Sequence, residues 1–158
     1  MRKIILSVFL ICYSLICMAN EPSISEVRLK LHKATSNEKA CRELIAELGP
    51  YNERNNALFT GYRGGANMIM AKHVFNPFSK LSYFNKGKSM LEKAIQAEGK
   101  NVELRFLRYS IQTNVPVFLG YKSHLKNDYD FLKQAIPAIK DSNLKKIITS
   151  YLQQNIPE

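Results

Sequence analysis

Apolar residues along most of the chain recur every three or four positions, which is the period of an amphipathic α-helix. The clearest stripes are Ile24, Val27, Leu31; Cys41, Leu44, Ile45, Leu48; and Leu144, Ile147, Ile148, Leu152, all expected to face inward. No segment alternates apolar and polar residues with the two-residue period of a strand. The pattern therefore predicts an all-α fold with little or no sheet.

Residues that begin and end helices divide this pattern into about six to seven helices. Thr35 and Glu38 have the spacing of a capping box, so we expect the second helix to begin there. A third helix is expected from about Glu53 to Val74. Later N-caps are expected at Asn76, which Pro77 follows, at Asn101 and at Asp141, with a sixth helix from near Asn127 to Pro137. The short connections indicate that neighbouring helices are antiparallel.

The stretch from Tyr83 to Leu107 resembles the second helix of a tetratricopeptide repeat (TPR) and the start of the next unit. Gly87, Leu91 and Ala94 carry the small, large, small spacing of that helix, and Asn101 follows at its exit. The resemblance covers about 25 residues. It implies antiparallel helical hairpins stacked in a repeat-like bundle that offers a groove to a peptide.

A second resemblance indicates in which cellular compartment the protein is located. Residues 105–112, together with Pro116 and residues 118–121, resemble a segment of small exported bacterial proteins of unassigned function. This resemblance implies export and a helical fold, and it implies no activity.

The N-terminus has the pattern of a secretory signal peptide. Arg2 and Lys3 precede an apolar run of about a dozen residues, which is shorter than a membrane span. We expect cleavage after Ala19, which leaves a single helical domain over residues 20–158 in the periplasm or outside the cell. An uncleaved membrane anchor and a lipoprotein acylated at Cys17 are the alternatives.

The chain is strongly basic, with 23 Lys and Arg against 13 Asp and Glu and a formal charge of +10. Loss of Arg2 and Lys3 with the signal lowers that charge to +8. A basic excess favours anionic partners, namely a membrane surface, an acidic polysaccharide or an acidic protein. Export makes nucleic acid an unfavoured partner. Because the basic residues are dispersed, a plain solvated surface is the other interpretation.

Cleavage also removes Cys12 and Cys17, so Cys41 would be the one cysteine of the mature chain. We expect it to be buried as a small apolar residue, with a reactive or intermolecular thiol as the alternative. His73 is expected to cap a helix C-terminus rather than transfer protons. Histidines spaced as metal ligands are absent from the sequence, and we expect no metal and no cofactor.

The run from Gly61 to Asn67 contains three glycines inside a predicted helix, each costing about 1 kcal/mol relative to alanine. A closely packed neighbouring helix offsets that cost in one interpretation. In the other, a ligand approaches the bare backbone. A phosphate-binding loop is excluded, because the run lacks the Gly-Lys-Ser/Thr ending and no strand precedes it.

Arg105 and Arg108 lie one turn apart on the fifth predicted helix, where two guanidinium groups repel unless an anion lies between them. Pairing with Glu92, Glu98 or Glu103 within the fold is one interpretation, and anion binding is the other. If a ligand pocket forms, we expect it to be lined by Tyr62, Arg63, Asn67, Arg105, Arg108 and Gln112.

The aromatic residues are expected mainly in the core, although among basic residues they would also suit a saccharide or nucleic-acid platform. They include Phe75, Phe78, Tyr83, Phe84, Phe106, Tyr109, Phe118, Tyr121, Tyr129 and Phe131.

Three functions stay open at this point. The first is an interaction module that binds an envelope protein or peptide. The second is a small anionic-ligand binder, or an enzyme, that uses the arginine-lined pocket, although the sequence carries no catalytic signature. The third is a basic protein that associates with a membrane surface or a polysaccharide.

Overall fold

The computed structural model describes residues 21 to 157, and within that range the chain forms seven α-helices and no strand. The helices are Ile24–Ala34 (α1), Glu38–Glu47 (α2), Ala57–His73 (α3), Pro77–Ala97 (α4), Val102–Asn114 (α5), Leu125–Ala135 (α6) and Ser142–Gln154 (α7). Two short 3-10 turns occupy Val117–Leu119 (η1) and Ile136–Ala138. The all-α prediction is confirmed. The expected signal peptide, residues 1–19, lies outside the described residues.

Side-chain caps explain where the helices begin. Asn76, Asn101 and Asp141 each accept hydrogen bonds from backbone N–H groups of the first helical turn, as predicted. The capping box predicted at Thr35 is wrong, because Thr35 ends α1 and its hydroxyl donates to the carbonyl of His32 at 2.7 Å. Asn37 caps α2 instead.

Neither the cap of α1 nor that of α3 was predicted. A capping box is present at the start of α1, where Ser23 and Glu26 bond reciprocally. Helix α3 begins at Ala57 rather than near Glu53, because the side chain of Asn56 accepts from the backbone N–H of Phe59 at 2.9 Å.

Helices α3 and α4 are antiparallel and in close contact. Gly61 lies against Leu91 and Ala94, whereas Gly64, one turn later in α3, lies against the earlier residue Gly87 of α4. A Cβ atom on Gly64 would stand 2.7 Å from the carbonyl oxygen of Gly87. The glycine run therefore serves close helix packing, which offsets its low helix propensity.

The odd-numbered helices α1, α3, α5 and α7 run parallel to one another. In α3 and α5, Gly61 meets Leu104 and Gly65 meets Leu107. Between α1 and α3, the ring Nε2 of His73 donates to the carbonyl of Ala34 at 2.8 Å. That bond joins the two C-terminal ends, so His73 caps α1 rather than its own helix.

Two apolar clusters form the core. The larger one joins α1 to α5 and includes Cys41, whose thiol donates to the carbonyl of Ala66 at 3.2 Å. Burial raises the pKa of Cys41 to about 11, and the expectation of a buried cysteine is confirmed. The smaller cluster joins α5, α6 and α7 around Tyr109 and Leu132.

Four apolar side chains expected in the core are instead exposed. Phe75 and Phe78 lie at the α3–α4 turn, and Phe118 lies in η1. Ile147, expected to face inward on α7, is partly exposed, whereas Leu144, Ile148 and Leu152 are buried as predicted. Between residues 21 and 157, no helix has the length and apolar character needed to cross a membrane.

Candidate functional site

A groove with a volume of about 710 Å³ opens between the four parallel helices. Its lining includes Leu29 and Leu31 on α1, Met68 and Ile69 on α3, Phe106, Leu107 and Ile111 on α5, and Ile147 and Tyr151 on α7. Phe84 on α4 also reaches the groove. Because parallel helices contribute one face each, the groove runs across the layer they form.

Two lining residues mark the rims of the groove. Leu29 on α1 is 54% exposed and Ile147 on α7 is 41% exposed, although both are large aliphatic side chains. Exposed apolar residues beside a concave surface are typical of a binding site rather than of a solvated helix face.

The charges at the groove are of one sign. Its lining includes the cationic Arg28 and Lys72, and also His32, but no aspartate or glutamate. Lys72 is exposed and forms no ion pair with any residue in the range 21–157. The groove therefore suits a ligand that is apolar and carries negative charge.

Arg28 and Tyr62 are held at the groove by one carboxylate, that of Glu103. Arg28 donates from Nε and Nη2 to the two oxygens of Glu103 at 2.6 and 2.7 Å, and from Nη1 to Asp141 at 2.7 Å. The hydroxyl of Tyr62 donates to the same Glu103. This network joins α1, α3 and α5 to the start of α7, and thereby fixes the width of the groove.

The pKa values of this network follow from its contacts. The hydrogen bond to Glu103 raises the pKa of Arg28, and burial raises the pKa of the Tyr62 phenol. Both groups therefore keep their protons at every physiological pH. The guanidinium of Arg28 is already paired with Glu103 and Asp141. Lys72 is therefore the cationic lining residue that can still pair with a ligand.

Two side chains that could act as nucleophiles, Ser110 and Cys41, are bonded to backbone carbonyls within the fold. Ser110, a hydroxyl in the groove lining, donates to the carbonyl of Leu107 at 2.9 Å, and no base lies against it. No group of three His, Cys, Asp or Glu side chains in the described part of the chain could hold a metal ion. Cys41 lies away from the groove with a raised pKa, which makes it a poor nucleophile.

Of the six predicted pocket residues, Tyr62 is the one that lines the groove. Arg63 donates to the carbonyl of Gly49 at 3.0 Å, towards α2. Asn67 is fully buried between α3 and α4, where its amide donates to the carbonyl of Arg63 at 2.8 Å. Arg63 therefore joins α3 to the end of α2, and neither side chain lines the groove.

Arg105 and Arg108 lie on another face of α5, where both contact Asp128 of α6. Arg108 donates to Asp128 at 2.7 and 2.9 Å and to Glu92 at 2.7 Å. Nε of Arg105 lies 2.5 Å from Asp128 in an ion pair whose angle does not suit a hydrogen bond. Pairing within the fold, which the sequence left open, therefore occupies both arginines.

Gln112, the sixth predicted residue, is buried completely on α5. Neither polar atom of its amide has a hydrogen-bond partner within residues 21–157. It lies outside the groove lining, so the six residues do not form the predicted pocket: Arg105 and Arg108 share Asp128, and Asn67 bonds to Arg63.

The lining residues that were not predicted include Arg28, Leu29 and Lys72. Glu103, which binds Arg28 beside the groove, was considered only as a partner for Arg105 and Arg108. Leu29 carries a signal that could have been used, because it lies off the stripe formed by Val27 and Leu31. An apolar residue on the otherwise polar face of a helix indicates a second contact surface. The pairing of Arg28 with Glu103, 75 residues away, leaves no such local signal.

No protein-family model, curated protein or solved structure matches this chain. The assignment of function therefore rests on the geometry of the groove and on the charges and exposures of its residues.

Proposed function

We propose that the protein is an exported interaction module that holds an apolar segment of an envelope protein or peptide in the groove between α1, α3, α5 and α7. The observation that carries this proposal is the open apolar groove of about 710 Å³ with exposed Leu29 and Ile147 at its rims. Burial of such side chains against a partner is favourable by roughly 25 cal/mol per Å² of apolar surface.

The proposal includes a repeat-like, TPR-like arrangement of the helices. The hairpins α1–α2, α3–α4 and α5–α6 would be the stacked units, and α7 would close the row. The parallel course of α1, α3 and α5 supports this arrangement, because one helix from each hairpin then faces the groove. Stacked hairpins of this kind offer extended concave surfaces to peptides.

Charge defines the partner further. With Lys72 unpaired and no carboxylate in the lining, an apolar segment that also carries aspartate or glutamate fits better than a basic one. Like charges brought together across an interface cost several kcal/mol, so basic segments would be rejected. Proposed export places the partner in the periplasm or outside the cell.

A small apolar acid is a second candidate ligand. The groove volume of about 710 Å³ lies within the range of small-molecule sites, which is roughly 300 to 1,000 Å³. Lys72 would bind its acid group. Native mass spectrometry of the purified protein would detect such a ligand as a retained mass.

Site-specific photo-crosslinking in the native envelope tests the proposal. A photoreactive phenylalanine analogue replaces Ile147 or Leu29, and replaces Ile156, an exposed residue outside the groove lining, as the matched control. We expect a discrete crosslinked protein or peptide from the two groove positions and none from the control. Equal products from all three positions, or none from any position with no retained ligand, would contradict the proposal.

A further inference from the structure

Five exposed apolar side chains lie on or just beyond the α3–α4 turn and in η1, outside the groove lining. Phe75 is 97% exposed and Phe78 is 84% exposed at the α3–α4 turn, and Leu81 follows one turn into α4. Val117 and Phe118 lie in η1, where Phe118 is 85% exposed. Leaving three phenylalanines in water is costly, so such a cluster indicates a contact surface.

The two turns are at the same end of the molecule. Helices α3 and α5 are parallel, and the turns follow their C-terminal ends at His73 and Asn114. The ring of Tyr121, just beyond η1, packs edge-on against Phe84 of α4 with centroids 6.0 Å apart. We refer to Phe75, Phe78, Leu81, Val117 and Phe118 together as the phenylalanine end.

The surroundings of the phenylalanine end are basic. No acidic residue lies between Glu53 and Glu92 or between Glu103 and Asp128, the two stretches that contain the turns. The lysines of these stretches are Lys72, Lys80, Lys86, Lys88, Lys122 and Lys126, of which Lys126 is paired with Asp130. At the same end, the α1–α2 turn contributes Glu38, which is already paired with Arg42 at 2.6 Å.

We propose that the phenylalanine end inserts into the interfacial region of a bilayer that contains anionic phospholipids. Single phenylalanines on protruding turns can enter the boundary between headgroups and acyl chains without a complementary pocket. The lysines beside them would be attracted to anionic headgroups. The five apolar residues of the phenylalanine end do not line the groove, although Lys72 borders both surfaces.

The absence of tryptophan from the sequence permits a direct test. Phe78→Trp and Phe118→Trp place a fluorescent reporter at the phenylalanine end, and Gln96→Trp places one at an exposed site near the opposite end of α4. Each chain, begun at Asn20 so that it contains every described residue, is mixed with phosphatidylcholine vesicles with or without phosphatidylglycerol. We expect a blue shift and quenching by brominated lipid for the first two reporters, on anionic vesicles, and no change for Gln96→Trp.

Removal of the aromatic side chains completes the test. The triple variant Phe75→Ser, Phe78→Ser, Phe118→Ser should lose at least about tenfold in vesicle partitioning, because each phenylalanine withdrawn from lipid corresponds to a factor of about ten or more. Gln96→Ser, at the opposite end of α4, should keep the partitioning of the unchanged chain. Rising salt should weaken binding to the anionic vesicles.

Three results would overturn the proposal. One is unshifted emission at Phe78→Trp and Phe118→Trp, and another is equal partitioning of the triple variant and the unchanged chain. The third is a protein partner captured through the phenylalanine end while vesicles are not bound, which would assign the surface to protein contact. Groove function would be unaffected in each case, since Leu29 and Ile147 are unchanged in all variants.

Discussion

Arg108 of α5 and Asp128 of α6 form a bidentate ion pair, with Asp128 completely buried and the Arg108 side chain 4% exposed. Arg108 also reaches Glu92 of α4, whose other carboxylate oxygen accepts from the hydroxyl of Tyr121 at 2.5 Å. The desolvated guanidinium is thus matched by two carboxylates from two other helices. The pair ties α4, α5 and α6 together and leaves the groove face of α5 free.

Asp128→Asn is expected to destabilise the fold by about 3–5 kcal/mol, because it leaves the buried Arg108 and the neighbouring Arg105 without their shared carboxylate. Asp130→Asn is the matched control. Asp130 is half exposed and pairs with Lys126 one turn away, so its replacement should change the free energy of unfolding by less than about 0.5 kcal/mol. Urea denaturation of both variants measures the difference. Equal stabilities would contradict this account of Asp128.

Gly64→Ala should destabilise the protein and Gly65→Ala should not. A Cβ atom on Gly64 would stand 2.7 Å from the carbonyl oxygen of Gly87 and 2.9 Å from the backbone nitrogen of Leu91, so α3 and α4 must separate. That overpacking costs about 1–3 kcal/mol. On Gly65 the nearest atom would be a flexible methyl group of Leu107 at 3.4 Å, and the helix preference of alanine then contributes up to about 1 kcal/mol. Thermal unfolding of the two variants compares them, and a stabilised Gly64→Ala protein would refute the close helix contact.

The sequence predicted the local features of the fold well. Asn76, Asn101 and Asp141 begin helices because a cap depends only on the residue and the three that follow it. The cap predicted at Thr35 was wrong for an equally local reason, because the Thr35 hydroxyl is already bonded within the last turn of α1. The glycine run indicated a close contact, and the partner helix became visible only in the structure.

The groove could not be predicted, because helical periodicity identifies apolar faces without showing what covers them. Ile147 shares the stripe of Ile148 and was expected to be buried, but it reaches the groove instead. Arg105 and Arg108 looked available for an anion until the fold brought Asp128 against both. Phenylalanine is usually a core residue, and Phe75 and Phe118 are exposed because they lie in the segments that connect helices.

Alkaline pH should destabilise the native state. Burial raises the pKa of Cys41 from an ordinary value of 9.0 to about 11 and that of Tyr109 from 10.0 to about 12, and it also raises the pKa values of Tyr62 and Tyr121. The folded state keeps these protons after the unfolded chain has released them, so ionisation favours unfolding. The contribution is complete below about pH 9 and is lost as the pH rises from about 9 towards 12.

Urea denaturation at pH 8 and pH 10 measures this loss. Cys41→Ala is the control, because it removes the group that begins to ionise first in the unfolded chain. Its stability should fall less between the two pH values than that of the unchanged protein. An equal fall in both proteins would exclude Cys41 as a source of the pH dependence.

Charged residues at the rims of the groove should abolish partner capture while sparing the fold. Ile147→Asp and Leu29→Asp each place a carboxylate on a half-exposed site, so a loss of stability above about 1 kcal/mol is not expected. In the partner complex, however, the same carboxylate would be buried against apolar surface and repelled by an acidic segment. Circular dichroism checks the fold, and the yield of photo-crosslinked partner measures capture.

The most direct test of the groove is the affinity of the partner segment itself. The peptide identified by crosslinking from Ile147 is synthesised with a fluorescent label and titrated with the unchanged protein, with Ile147→Asp and with Ile156→Asp. The account predicts saturable binding that Ile147→Asp weakens at least about tenfold and Ile156→Asp leaves unchanged, since one lost apolar contact of about 1.4 kcal/mol changes affinity tenfold. Equal affinity for all three proteins would show that the segment binds elsewhere and that the groove is not the binding site.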